Sequence, residues 1–256
     1  MKNLTSSNIH TFSEPVNGKT VIISGGTTGI GRAAAVLLAS YSAKLLIFGR
    51  HKKELNDAMK DISGVCKTYG GEVTGMIADQ SKDSDVRKVF RKADSLWERI
   101  DIMINNAAIS ADGILEMKHK DWLYAMNTNL KGYMMCVQEA ATRMKKKKSG
   151  HIISIGSLSA ESKGAGSSVY VAAKSALQGF SESLSKEMSE HNVKVTLIEP
   201  GKVGTDMQEI SPRQQRLNEK KLKMMKAQDI AVCIHYCLTQ PLRVNITNIK
   251  LRQLKE

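Results

Sequence analysis

Tyr170 and Lys174 stand four residues apart in the stretch Tyr170-Val171-Ala172-Ala173-Lys174. On a helix that spacing puts a phenol and an ammonium on one face. An ammonium beside a phenol favours the phenolate and draws its pKa toward working pH, which suits a group that gives and takes a proton. Alone, the pair also describes an ordinary surface contact. Further chemistry-bearing residues precede it: Ser157 in Ile153-Ser154-Ile155-Gly156-Ser157, Asn105-Asn106-Ala107-Ala108, and Asn127-Thr128-Asn129.

A second group lies near the start of the chain. Ser24-Gly25-Gly26-Thr27-Thr28-Gly29-Ile30-Gly31 follows a short β-branched run and precedes an Ala/Leu-rich stretch. Glycines there let the backbone turn tightly and bring a pyrophosphate onto a helix N-terminus, where unpaired N–H groups and the helix dipole favour an anion. The spacing differs from the common G-x-G-x-x-G form. A literal G-x-G-x-x-A frame at Gly29 to Ala34 starts too late, because the strand has already ended at Ser24. Gly18-Lys19-Thr20 imitates the end of a P-loop, but position 13 is Ser13 and Lys19 leads into a strand.

The residues after the second apolar run bear on the nucleotide. NAD sites place a carboxylate there for the ribose 2′-hydroxyl. This chain has Gly49-Arg50-His51-Lys52-Lys53 and no acid. A guanidinium can grip a 2′-phosphate with two charge-assisted bonds, so Arg50 predicts NADP over NAD.

Stepping from sites to elements, apolar runs at Thr20–Ser24, Lys44–Phe48, Val73–Ile77, Ile102–Ile104, Ile152–Ile155 and Val193–Ile198 predict strands, with a last one near Val244–Leu251. Helices are predicted between them at Arg32–Ser40, from about His51, and at Asp83–Trp97, Asp121–Lys147, Ser168–Glu190 and Asp229–Leu238. Such alternation predicts one α/β domain with a doubly wound, mostly parallel sheet of about seven strands and helices on both faces. The chemistry should gather at the strands' carboxyl ends. Residues 1–18 read as a polar tail and 19–256 as the domain.

Composition narrows the class. With 41% hydrophobic and 25% charged residues, the chain of 256 residues can bury a sizeable core. No long apolar run predicts a membrane span, and the polar start lacks the apolar core of a secretory leader. Four scattered cysteines fit a reducing cytoplasm, and the six scattered histidines predict no metal site. The net charge of +13 favours anionic partners without choosing among them. The lysine run Lys145–Lys148 suits the end of a helix better than a nucleic-acid patch.

Taken together, the motifs from residue 19 to about 207 resemble the short-chain dehydrogenases/reductases. The resemblance implies a Rossmann-type fold and the following roles. Gly25, Gly29 and Gly31, with Thr27, Thr28 and Ile30, form the pyrophosphate turn. Asp79 contacts adenine, and Asn105 and Ala107 line the cofactor, with Ala108 replacing the family's last glycine. Pro200-Gly201, with Val203 and Thr205, holds the nicotinamide carboxamide. Asn129, Ser157, Tyr170 and Lys174 match the catalytic tetrad. In it, Tyr170 exchanges a proton with a carbonyl oxygen that Ser157 holds, Lys174 binds the nicotinamide ribose, and Asn129 holds a water. The family's helices commonly pair across subunits, which implies a dimer or tetramer, and Met134, Met135 and Cys136 read as packing residues.

The C-terminal part is similar to NADP-dependent dehydrogenases of small 3-hydroxy acids. Residues 208–226 are expected to form a substrate lid whose Arg213, Arg216, Lys220, Lys221, Lys223 and Lys226 suit an acidic substrate, with Met224 and Met225 packed beneath. Reduction of a 3-oxoacyl thioester or a simple aldehyde or ketone is the alternative. A nucleotide sensor or nucleic-acid binder on the same fold would have no need of Tyr170 and Lys174, and a serine hydrolase lacks its G-x-S-x-G elbow.

Overall fold

The computed structural model describes residues 16–255. Chain order begins β1 (Thr20–Ser24), α1 (Gly29–Ser40), β2 (Lys44–Gly49), α2 (Lys52–Tyr69), β3 (Glu72–Ile77), α3 (Asp83–Leu96), β4 (Ile102–Asn105) and α4 (His119–Met126). A π-helical turn (Asn127–Lys131) leads into α5 (Gly132–Lys147) and β5 (Gly150–Ile155). Then come α6 (Ser159–Ser162), α7 (Ser168–Ser189), β6 (Val193–Pro200), β7 (Val203–Gly204), α8 (Pro212–Lys220), β8 (Met225–Lys226), α9 (Ala227–Leu238) and β9 (Asn248–Leu251).

Seven strands form one sheet in the order β3-β2-β1-β4-β5-β6-β9. Every neighbouring pair is parallel, so the sheet is parallel throughout. Alternate side chains enter opposite layers, as strand geometry requires. Val21, Ile23, Leu45 and Ile47 join Leu38, Ile62 and Ile234 in one core. Ile22, Leu46 and Phe48 join Val86, Phe90, Val137 and Met188 in the other. Strand order reverses direction between β1 and β4, which opens a crevice at their carboxyl ends.

Three boundaries differ from the expected ones. The tail expected over residues 1–18 falls mostly outside the described residues. Val16 is already in the core, and the Gly18 N–H donates to the Ser42 carbonyl at 3.1 Å. The last strand begins at Asn248, because Val244 closes a turn on the Pro241 carbonyl at 2.9 Å. The long helix expected from Asp121 is broken by the π turn at Asn127–Lys131, a wider winding that periodicity does not register.

The expected lid is pinned at its base, because Val203 pairs with Met225 in a small parallel ladder. Its helix α8 is capped by Ser211, whose hydroxyl accepts from the Gln214 N–H, and buries none of its residues. Met224 is buried at its foot. Lys145, Lys146 and Lys147 fill the last turn of α5, where cations interact favourably with the negative end of the helix dipole. The four cysteines are free and buried. No helix among the described residues is long and apolar enough to cross a membrane.

Candidate active site

Two cavities open along the crevice, one of about 630 Å³ and one of about 180 Å³. Ile30, Asn106, Ala108, Thr205 and Met207 border both.

The smaller cavity is built on the glycine turn. Thr28 opens α1 without a side-chain cap, and no acid occupies the first turn, so the helix's leading N–H groups remain available to an anion. Gly25 has φ +61°, and a Cβ there would lie 2.8 Å from Ala107 Cα. At Gly31 a Cβ would meet the Gly25 carbonyl at 2.1 Å, so the turn closes only around glycine. Ser24 ties the turn to the loop after β4. Its Oγ accepts from the N–H groups of Asn106 at 2.9 Å and Ala107 at 3.0 Å.

The structure separates the expected nucleotide residues into lining and bracing groups. Gly25, Thr27, Thr28, Gly29, Ile30, Arg50, Asp79 and Ala107 line the smaller cavity. Pro200, Gly201, Val203 and Thr205 line the larger one. Asn105 is fully buried and lines neither. Its Oδ1 accepts from Ser24 Oγ at 3.3 Å, and its Nδ2 donates to the Tyr133 carbonyl at 2.9 Å. Gly31 likewise stands behind the wall.

Arg50 is part of a small network. Its Nη1 donates to the Tyr124 hydroxyl, and its guanidinium carbon lies 5.5 Å from the centre of the Tyr124 ring. Tyr124 in turn donates to Asp79 Oδ2 at 3.0 Å. Burial opposes the Asp79 charge. Hydrogen bonds from Ser81 and Tyr124 and the nearby Arg50 outweigh it and hold the carboxyl below its usual pKa. The acids lining this cavity, Asp79 and Asp206, come from outside the end of β2. Thr128 also lines it, and its buried hydroxyl has no hydrogen-bond partner among the described residues. The uncapped helix end, the glycine cradle, the free edge of Arg50 and the Thr128 hydroxyl together fit a dinucleotide phosphate ester.

Ser157, Tyr170 and Lys174 converge on the larger cavity. Ser157 Oγ accepts from the Ser159 N–H and donates to Ser159 Oγ, both at 3.1 Å. Lys174 is fully buried, with no carboxylate partner among the described residues. Its Nζ donates to the Ile155 carbonyl at 2.9 Å and to the Tyr133 hydroxyl at 3.5 Å. Burial draws its pKa down from 10.5 to about 7.

The geometry bears on three expected roles. First, burial pushes the Tyr170 phenol pKa up, and a hydrogen bond with Ser157 pulls it back. Lys174 Nζ is drawn toward the Ile155 carbonyl and lies 5.7 Å from the centre of the Tyr170 ring, and burial outweighs its pull on the phenol. Second, the Asn129 side-chain amide is paired with Ile109. Its Nδ2 donates to the Ile109 carbonyl at 2.8 Å, and its Oδ1 accepts from the Ile109 N–H at 2.9 Å. The amide is a strut between the π turn and the loop after β4. Third, the basic lid does not face the cavity. Of the 208–226 stretch only Gln208 lines it, beside Met207.

Sequence reasoning missed Tyr124, Tyr133, Lys202 and Arg252. No spacing rule connects Tyr124 to Asp79 or Tyr133 to Lys174, since each pair is joined only by the packing of separate elements.

A family model described as short chain dehydrogenase matches residues 19–216. An uncharacterised oxidoreductase of Staphylococcus epidermidis is 30% identical over 238 residues, covering 93% of this chain and 98% of its own. One from Staphylococcus aureus is 32% identical over 235 residues, covering 91% and 96%. The crystal structure of levodione reductase superposes with a TM-score of 0.82 at 23% identity, covering 92% and 96%. A metagenomic blue fluorescent protein in complex with NADPH gives 0.81 at 26% identity, covering 94% and 98%.

Proposed function

The chain belongs to the short-chain dehydrogenase family, and from that premise we propose that it transfers hydride between NADP(H) and a carbonyl or alcohol carbon, with Tyr170 as the general acid and base. The observation that carries this reading is the convergence of Ser157, Tyr170 and Lys174 on one cavity, which shares five bordering residues with the glycine-turn cavity. A bound nicotinamide supplies the hydride.

The chain's own groups supply the rest. Tyr170 gives its proton to the carbonyl oxygen in reduction and takes one from the alcohol in oxidation. Its raised pKa keeps it protonated at neutral pH, which suits reduction. Ser157 holds the same oxygen, and its bonds to Ser159 fix its direction. Lys174 offers its remaining N–H to the nicotinamide ribose. Asn129 keeps the loop after β4 in place.

The preference for NADP rests on Arg50 and on the lack of an acid at the end of β2. A relative's structure held NADPH, which agrees with it. The substrate we favour is a small 3-hydroxy acid or 3-oxo compound, with thioesters and simple aldehydes or ketones as the alternative. A cytoplasmic dimer or tetramer completes the reading. Met134, 44% exposed on α5, offers an apolar contact for a second subunit.

The direct test is nicotinamide absorbance during turnover, with NADPH and NADH compared on a panel of 3-oxo acids, thioesters, aldehydes and diketones. Turnover with NADPH and little with NADH is expected. Binding of NADPH without turnover of any member would overturn the enzymatic reading.

A further inference from the structure

The larger cavity is lined by three cations, Lys174, Lys202 and Arg252, and among the described residues by no Asp or Glu. Lys174 belongs to the catalytic group. The sheet brings the backbones of the other two close together. Pro200 pairs with Leu251 in the β6–β9 ladder, and the Gly201 N–H continues it by donating to the Leu251 carbonyl at 2.8 Å. Just beyond, the Lys202 N–H donates to Gln253 Oε1 at 3.3 Å. Lys202 and Arg252 therefore each follow directly from one of two hydrogen-bonded strand ends, and both are exposed residues of the cavity wall.

Neighbouring cations are neutralised locally. Lys250, two residues before Arg252, is paired with Glu161. The side-chain cations of Lys202 and Arg252 take no acidic partner and make no side-chain hydrogen bond within the described protein. Two cations without an acidic partner among the described residues, in the wall of a cavity rich in serine (Ser110, Ser159, Ser162 and Ser167), suit an anion beside Tyr170.

We infer that Lys202 and Arg252 bind a carboxylate of the substrate, so the C-terminal strand end sets acid specificity and the lid does not. This deepens the proposed hydride-transfer function and rests on it for the word substrate. Arg252 presents a planar fork that matches a carboxylate, and Lys202 adds a point charge beside it. A neutral ester of the same acid keeps its shape and loses the charge.

The test is calorimetric titration of the full-length protein with 3-hydroxybutyrate and two longer 3-hydroxy acids, each against its methyl ester, with and without NADP⁺. Wild type should bind the acids and discriminate against the esters. Arg252→Gln should weaken acid binding roughly 10-fold or more and leave the esters unchanged, with Lys202→Gln acting in the same direction. The double lid variant Lys220→Gln/Lys221→Gln should behave as wild type. Equal binding of acid and ester, no binding of any acid, or discrimination that survives both Gln variants would overturn the subsite. Failure of NADP⁺ to bind, with acid discrimination intact, would sink the hydride-transfer reading and leave the subsite supported.

Discussion

Lys174 Nζ lies 4.9 Å from the centre of the Tyr133 ring and 3.5 Å from its hydroxyl. That hydroxyl donates to the Ile155 carbonyl at 3.2 Å, the same oxygen that Lys174 reaches at 2.9 Å. A buried cation with no carboxylate partner among the described residues is thus held by a ring face, a hydroxyl and a carbonyl. Tyr133→Phe keeps the ring and removes the hydroxyl. The neutral amine is then favoured further, so the Lys174 pKa moves down from about 7. The limb of the kcat/KM pH profile near neutrality should shift to lower pH by roughly half a unit to one unit. An unshifted profile would mean that Tyr133 only fills space.

Tyr124 links the Arg50 guanidinium to the Asp79 carboxylate. Held along Nη1, Arg50 keeps its other edge for a 2′-phosphate without losing rotamer freedom on binding. Arg50→Ala should weaken NADPH binding roughly 10- to 100-fold with NADH little changed. Tyr124→Phe should show the same selectivity at a smaller size, about 3- to 10-fold, measured by fluorescence titration of both cofactors. Equal weakening of NADPH and NADH would assign Tyr124 to general packing.

Lys174 also leaves a stability signature. Its folded pKa is about 7 and its ordinary value 10.5. Between those values the unfolded chain binds more protons, so wild-type stability from this group rises with pH across that window. Lys174→Met removes the buried charge. Its gain in Tm over wild type should be largest below pH 7 and should shrink toward pH 10. A gain that does not vary with pH would contradict the burial of the charge.

His151 acts at the opposite end of the strands. Thr196 Oγ1 donates to the Ile246 carbonyl at 2.6 Å, so it accepts from His151 Nε2 at 2.8 Å, and that nitrogen carries the proton. Burial, aided by Lys194, draws the imidazole pKa from 6.5 to about 3. Below pH 6.5 the unfolded chain takes up a proton that the folded chain refuses, so stability falls as pH drops toward 3. Chemical denaturation across this range should show a shallower acid decline in His151→Gln. Parallel declines would place the acid sensitivity in the carboxylates alone.

Much of this was legible in the sequence because it is local. β-branched runs bounded by turns marked β1, β2 and β4, and the glycine spacing marked the phosphate turn, where Gly31 has no room for a side chain. Ser157, Tyr170 and Lys174 were found by spacing along the chain. What escaped depends on packing between distant elements. Burial, which spacing does not reveal, reversed the expected direction of the Tyr170 shift. The Asn129 amide was spent on Ile109 because a π turn brought them together. Besides Lys174, the cations lining the larger cavity are Lys202 and Arg252, just beyond the ends of β6 and β9, while the charge-dense lid drew attention by composition alone.

The central claim is that Tyr170 moves the proton in a reaction the nucleotide site already holds ready. Single-turnover oxidation of NADPH by Tyr170→Phe, on whichever carbonyl the wild type reduces fastest, tests it most directly. The variant keeps the ring and the fold, so NADPH affinity should stay near wild type while the rate falls by about 10²- to 10⁴-fold. Wild-type turnover in Tyr170→Phe would contradict the account.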